Sequence, residues 1–243
     1  SENLEVFSFI VHDMTQFKTT VYDIDCDGYH IREYEKYTSR GNTIIPEIEE
    51  KLKRQNMTKV FIGCSSKDTI HTKYLEEAKE ISSSLSKDNY ALVFGAASMG
   101  MMGACYQEFN YSHQPIYSYT VEKYQEDLSH LQSDIEVILP TTFDRTKQLY
   151  QDADIIILLP GGTGTIAEIF SILEENRTID NPKKIVLYNF DGFYNKLLEV
   201  INYCITEKFN DSSIYDYFTV ANTRDEVLKF VNDNRYQKKI SKD

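Results

Sequence analysis

The sequence predicts an α/β fold, a parallel sheet with helices on both faces, preceded by a small β-rich piece. Three observations predict it. From about residue 58, short apolar runs alternate with stretches whose apolar residues recur at helical spacing. The runs are rich in Val, Ile and Leu, as strands covered on both faces are. Two of the runs end in glycine-rich turns that open into a helix, the junction on which βα units are built.

The elements follow in order. Residues 4–11 are strand-like, and residues 17–25 and 29–37 alternate apolar with polar side chains. Asp27-Gly28 lies between the last two as a hairpin signal. Residues 46–54 read as a short helix joining this piece to the main body. Residues 59–63 (KVFIG) and 90–95 (YALVFG) are strands. Between them, residues 71–85 carry Leu75, Ala78, Ile81 and Leu85 at helical spacing. A helix over 100–109, strands at 115–119 and 135–139, and a helix over 142–151 come next. The strand at 154–159 leads into a helix over 163–176. Residues 184–189 form a strand, 192–208 a helix, 217–220 a short strand and 224–234 a final helix. The expected division is a β-rich appendage over 1–57 and a main domain over 58–243, with no internal repeat.

With 243 residues, 41% of them hydrophobic, the chain can bury a substantial core. Its net charge of −12 argues against a general nucleic-acid binder, which needs a basic face. A small anion is still admissible, because a few oriented amides outweigh the global charge locally. Cys26, Cys64, Cys105 and Cys204 form no C-x-x-C pair and no zinc spacing. Isolated thiols, no membrane-length apolar stretch and no visible signal peptide suggest the cytoplasm and no membrane partner. None of the five histidines stands in a nucleophile or metal spacing. Asp23-x-Asp25-x-Asp27-Gly28 resembles the start of a calcium loop, but its flanks alternate like strands, so it reads as a hairpin turn.

Two glycine loops carry the functional signal. The first runs from Gly95 through Ala96, Ala97, Ser98, Met99, Gly100, Met101 and Met102 to Gly103. It contains neither a Walker lysine nor G-x-G-x-x-G. The second is Pro160-Gly161-Gly162-Thr163-Gly164-Thr165-Ile166-Ala167-Glu168. Free amides at the start of a helix hold phosphate, and in open parallel sheets ligands collect at the C-terminal strand edge. A carboxylate close to such a grip makes a phosphorylated substrate the leading idea. Thr165-x-x-Glu168 also fits a capping box, and on the residues alone that reading is favoured. Arg145, with Asp144 and Lys147, reads equally as solvated surface charge.

Together these residues resemble the Lonely Guy (LOG) family, also labelled lysine decarboxylase-like, whose hallmark is P-G-G-x-G-T-x-x-E preceded by a helix with a catalytic Arg. Pro160 to Glu168 match every fixed position, and Arg145 lies fifteen residues before Pro160. The first glycine loop is similar to the family's G-G-G-x-x-G-L-M-G. Phe61 to Ser66 and Asn189 to Tyr194 resemble its first strand with a serine-bearing loop and its N-x-x-G-[FY]-Y segment. The likeness covers about residues 58–232. Three departures stand out: Thr146 replaces the usual Lys after the Arg, and Ala96 and Ala97 replace two glycines. Alanine resists positive φ, so the first loop is expected to be shaped differently. Lys147 or another basic residue is expected to compensate for Thr146.

The resemblance implies a Rossmann-like fold, a homodimer, and hydrolysis of the N-glycosidic bond of a nucleoside 5′-monophosphate to free base and ribose 5-phosphate. The substrate would be AMP or a cytokinin riboside monophosphate, and neither a cofactor nor a metal is called for. Glu168 would stabilise positive charge on the ribose and orient water, while Arg145 would position the substrate and hold Glu168 ionised. Gly161, Gly162, Thr163, Gly164 and Thr165 would grip the phosphate. Ser65, Ser98, Gly100, Met102 and Gly103 would wall the substrate. The rival readings are a non-catalytic sensor of a nucleotide-derived ligand, a structural partner protein, and a literal lysine decarboxylase. The last needs a Schiff-base lysine, and neither loop contains one.

Overall fold

The computed structural model describes residues 54 and 56–235 in full and the backbone of residues 7–13, 18–24 and 31–37. The chain divides into two compact units, Ser1–Gln55 and Asn56–Asp243. In the first, β1 (Phe7–Asp13), β2 (Lys18–Ile24) and β3 (Ile31–Tyr37) form an antiparallel sheet in that order. Phe7 pairs with Ile24, and Ile24 with Ile31. β1 begins three residues later than its pattern suggested. Asp23 lies inside β2, as expected for a strand flank. Cys26, the Asp27-Gly28 turn and all of the expected 46–54 helix except Arg54 lie outside the described residues.

The second unit is a seven-stranded, wholly parallel sheet in the order β10-β9-β8-β4-β5-β6-β7. Its strands are β4 (Lys59–Gly63), β5 (Ala91–Phe94), β6 (Ile116–Val121), β7 (Ile135–Leu139), β8 (Ile155–Leu158), β9 (Lys184–Tyr188) and β10 (Thr219–Ala221). Its helices are α1 (Thr72–Lys87), α2 (Gly100–Tyr111), α3 (Thr142–Asp152), α4 (Thr163–Thr178), α5 (Asn195–Thr206) and α6 (Arg224–Asp233). The period of two along each strand divides the core. Val60, Ile62, Leu92, Phe94, Ile155 and Ile157 pack with Ile81 and Leu85 of α1, Phe109 of α2 and Val227 of α6. Their neighbours Phe61, Val93, Ile156 and Leu158 pack with Leu149 of α3, Ile169 and Ile172 of α4 and Ile201 of α5. Each such side chain contributes roughly 1.5–3 kcal/mol by leaving water, so covering both faces accounts for the unbroken apolar runs. This is the Rossmann-like arrangement expected from the sequence.

Among the described residues, three 3₁₀ segments were not anticipated: Glu122–His130, Phe190–Gly192 and Ser212–Asp216. The second delays α5. Asp191 and Gly192 take positive φ (53° and 69°), which no helix tolerates, and the Asn189 side chain accepts the Tyr194 N–H at 2.7 Å. Buried Asn176 ties down the end of α4. Its Oδ1 accepts from the Tyr150 hydroxyl (2.8 Å) and the Lys183 amide (2.6 Å), and its Nδ2 donates to the carbonyls of Lys183 and Tyr217.

The chain enters the sheet at β4 and moves outward through β5 and β6 to β7. It then crosses back to β8 and moves outward on the other side. The strand order therefore reverses between β4 and β8, and a crevice opens there at the carboxyl ends of the strands.

Candidate functional site

A cavity of about 380 Å³ lies at that switch point. It is lined by the loops after β4 (Cys64 to Lys67), β5 (Gly95, Ala97, Ser98, Met99 and Met102) and β8 (Gly162 to Thr165). Tyr124, Asp127, Arg145 and Glu168 complete it. Its volume is in the range of small-ligand sites.

Arg145 stands one turn into α3, whose start is capped by Thr141, and Glu168 in the second turn of α4. The guanidinium Nη2 donates to Glu168 Oε1 at 3.0 Å. Two glycines lie beside them. A Cβ on Gly63, at the end of β4, would lie 3.6 Å from Glu168 Oε2. A Cβ on Gly95, at the end of β5, would lie 3.8 Å from Arg145 Nη1. Glu168 is 4% exposed, and its Oε2 and the Arg145 Nε are both buried without a hydrogen-bond partner. Such orphaned atoms are rare in folded proteins, and here they belong to two residues that line a cavity. Burial pushes the Glu168 carboxyl above its ordinary value of 4.5, although the Arg145 guanidinium pulls it down. Arg145 thus favours the charged form, as expected, while desolvation outweighs that pull in the net direction.

The capping box is absent. α4 begins at Thr163 with Gly162 as its N-cap and no side-chain cap, so Glu168 stands six residues past the cap instead of three. The first-turn amides of Thr163, Gly164 and Thr165 have no acceptor within a helix, and these residues face the cavity. A Cβ on Gly162 or Gly164 would meet no protein atom within 4 Å. The buried Tyr194 hydroxyl fixes the entry to this turn by donating to the Leu159 carbonyl at 2.6 Å.

The first loop is closed from within. The Gly100 N–H donates to Asp68 Oδ1 at 2.6 Å, the Met102 N–H to the Ser65 carbonyl and the Gly103 N–H to the Met99 carbonyl. Ala96 adopts φ 56° in spite of its side chain, so the loop keeps the left-handed residue that a glycine would favour.

Of the residues expected at the site, Arg145, Glu168, Ser65, Ser98, Met102, Gly162, Thr163, Gly164 and Thr165 line the cavity together. Gly100, Gly103 and Gly161 do not. Gly103 would place a Cβ 2.3 Å from the Ser98 carbonyl oxygen, and Gly161 would place one 2.1 Å from Thr165 Oγ1. Gly100, at φ 61°, packs on the backbone of Ser66 and Lys67. Gly100 and Gly103 serve close backbone packing, and Gly161 makes room for the Thr165 side chain. Thr146 donates to the Thr142 carbonyl and, with Lys147, borders a separate groove beside Phe143 and Tyr150, so Lys147 brings no charge to this cavity.

Lys67, Tyr124 and Asp127 were missed. Lys67 follows Ser65-Ser66 in a strand-end loop, which is signal enough to have found it. Tyr124 and Asp127 sit in the 3₁₀ segment after β6, which has no hydrophobic period to read. Cys64, beside Cys105, has its thiol pushed up by their mutual hydrogen bond and by burial, which disfavours the nucleophilic thiolate. Among the described residues, no group of three His, Cys, Asp or Glu could hold a metal, and no helix is long and apolar enough to cross a membrane.

Residues 94–231 match the family described as "Possible lysine decarboxylase". The chain is similar to cytokinin riboside 5′-monophosphate phosphoribohydrolase LOG2 of Arabidopsis thaliana, 28% identical over 73% of this chain and 84% of that protein. It is 27% identical to LOG1 of the same plant over 81% of this chain and 91% of that protein. Among solved structures it is similar to the molybdenum cofactor carrier protein of Chlamydomonas reinhardtii. The TM-score is 0.56 at 14% identity, over 74% of this chain and 98% of that one. It is also similar to the molybdenum cofactor binding protein of Rippkaea orientalis, with a TM-score of 0.52 at 13% identity over 73% and 97%.

Proposed function

The chain belongs to this LOG-type family, and we propose that it hydrolyses the N-glycosidic bond of a nucleoside 5′-monophosphate, releasing free base and ribose 5-phosphate. The observation that carries the reading is the buried Arg145–Glu168 pair, with an unpartnered carboxylate oxygen beside an open glycine turn. The amides of Thr163 to Thr165 take the phosphate, because an anion suits the positive end of α4. The sugar then lies over the ends of β4 and β5, against Glu168. Water adds its oxygen to the anomeric carbon as the bond from that carbon to the base nitrogen breaks, and the base leaves with the bonding pair and takes up a proton. Glu168 accepts the proton from water and faces the developing positive charge on the ribose. A carboxyl raised by burial is a stronger base than an ordinary one, which suits it to that task. Arg145 fixes the acid's orientation through Oε1 and leaves Oε2 for the reaction. The relatives named as cytokinin riboside 5′-monophosphate phosphoribohydrolases support a cytokinin riboside monophosphate as substrate, and AMP is the second candidate.

The same reading takes the working form as a homodimer in the cytoplasm. Exposed Phe143 and Phe170, on α3 and α4, offer apolar surface for the pairing, and analytical ultracentrifugation tests it.

The central test is chromatography of AMP incubated with wild type and Glu168→Gln. The wild type should release adenine, and the variant should fold but lose about 10²–10⁴-fold in rate. Turnover by the variant at the wild-type rate removes Glu168 from the chemistry. Unchanged nucleotide with wild type, together with thermal stabilisation by it, would favour a ligand-binding role instead.

A further inference from the structure

The described lining of the cavity includes two cationic residues, half-buried Arg145 and exposed Lys67. Arg145 is committed to Glu168 at 3.0 Å. Lys67 has no acidic partner among the described residues. The positions that follow Arg145 offer no alternative, since residue 146 is Thr and Lys147 borders another groove. A phosphate seated on the first-turn amides of α4 would therefore meet a single uncommitted positive charge.

The backbone around Lys67 is held from both sides. Its N–H donates to Ser65 Oγ at 3.2 Å. The next residue, Asp68, accepts the Gly100 N–H at 2.6 Å. Gly100 packs so closely on this loop that a Cβ there would lie 2.6 Å from the Ser66 carbonyl carbon and 2.7 Å from the Lys67 nitrogen. The first glycine turn thus clamps the β4 loop, and the β4 loop adjoins the β8 turn across the switch point. A lysine whose backbone is fixed in this way loses less freedom on gripping an anion than one on a loose loop.

We propose that Lys67 is the phosphate-binding cation of this site, and that the closed first glycine turn holds it in place. The assignment rests on the reading that a nucleoside monophosphate fills the cavity. Lys67 positions the phosphate and takes no part in the bond cleavage, so its loss should appear in binding and in KM more than in kcat.

The test uses the full chain and ribose 5-phosphate as probe, with ribose as the uncharged control. Calorimetric titration should show wild type binding ribose 5-phosphate well above ribose. Lys67→Met should weaken that binding by ~10–100-fold, as expected for a hydrogen bond to a charged group, and Lys67→Arg should restore most of it. The KM for AMP should rise by a similar factor in Lys67→Met, with kcat changed by no more than a few-fold. Equal binding of ribose 5-phosphate by wild type and Lys67→Met overturns the assignment while leaving the hydrolase reading intact. Lys67-dependent binding by a wild type that releases no base from any nucleotide supports the cation and removes the hydrolase reading.

Discussion

The two glycine turns of this chain look alike in sequence and differ in what they do. Both leave the carboxyl end of a parallel strand, both open a helix, and neither carries a Walker lysine. The turn before α2 has its amides occupied by the protein itself, with the carboxylate of Asp68 on the Gly100 N–H. The turn before α4 has no side-chain cap, and the first-turn residues of its helix border the cavity. Where a carboxylate of the chain already sits on a helix start, that start is no longer an anion site. Glycine count does not separate the two turns; the partner of the first helical N–H does. On this comparison the first turn is a clamp and the second a receptor, and substitutions in them should fail in opposite ways.

The largest effect is expected from Gly103→Ala. Its Cβ would meet a backbone oxygen at 2.3 Å, which no side-chain motion can relieve. The cost should be about 3 kcal/mol or more, seen as a Tm lower by roughly 6–12 °C. Gly164→Ala should do the reverse. It meets nothing inside the protein, and alanine is the better helix former, so stability should rise by up to about 1 kcal/mol. Affinity for ribose 5-phosphate should nevertheless fall by ~10-fold or more, because the new methyl occupies the space a phosphate would use. Equal loss of stability in both variants would break the comparison. Asp68→Ala comes next: freeing the Gly100 N–H should cost about 1–2 kcal/mol by thermal denaturation, as loss of a helix cap does.

Glu168 sharpens the comparison through pH. Its folded pKa lies above the ordinary 4.5, so the folded state holds the proton more tightly than the unfolded one. Its contribution to stability is therefore complete below pH 4.5 and lost as the pH rises through the raised value. Urea denaturation of wild type and Glu168→Gln across that window should show the variant gaining relative stability as the pH rises. The acidic limb of the rate profile should likewise fall above the ordinary carboxylate range.

How much of this was legible beforehand follows from the physics of each signal. The strands β4, β5, β8 and β9 announce themselves because both faces are buried, which leaves continuous apolar runs such as Ile155 to Leu159. The Arg145 and Glu168 positions came from motif spacing, and only the fold reveals that the helices of both residues deliver them to one cavity. The capping-box reading of Thr165 and Glu168 was reasonable on sequence and failed because the helix starts two residues before Thr165. Tyr124 and Asp127 were invisible, since a 3₁₀ segment has neither the period of a helix nor that of a strand. The closure of the first turn was equally hidden: Asp68 lies 32 residues from Gly100 in the chain, and no local pattern links them.

The smallest expected effect concerns the family departure at Ala96. An alanine at φ 56° stores about 1–2 kcal/mol of backbone strain, which Ala96→Gly would relieve. Against that gain, the variant gives up one buried methyl worth ~0.8 kcal/mol, and glycine widens the unfolded ensemble by about 0.4–1 kcal/mol. The two sides cancel, so stability should change by less than about 1 kcal/mol in either direction. The KM for AMP should stay within a few-fold as well, because the loop already has the shape a glycine would give it. A shift of several-fold in substrate preference would mean that the methyl itself, at the end of β5, helps shape the wall of the cavity. In that case the first turn, which already lines the cavity, would also set substrate choice, and the division between clamp and receptor would have to be redrawn.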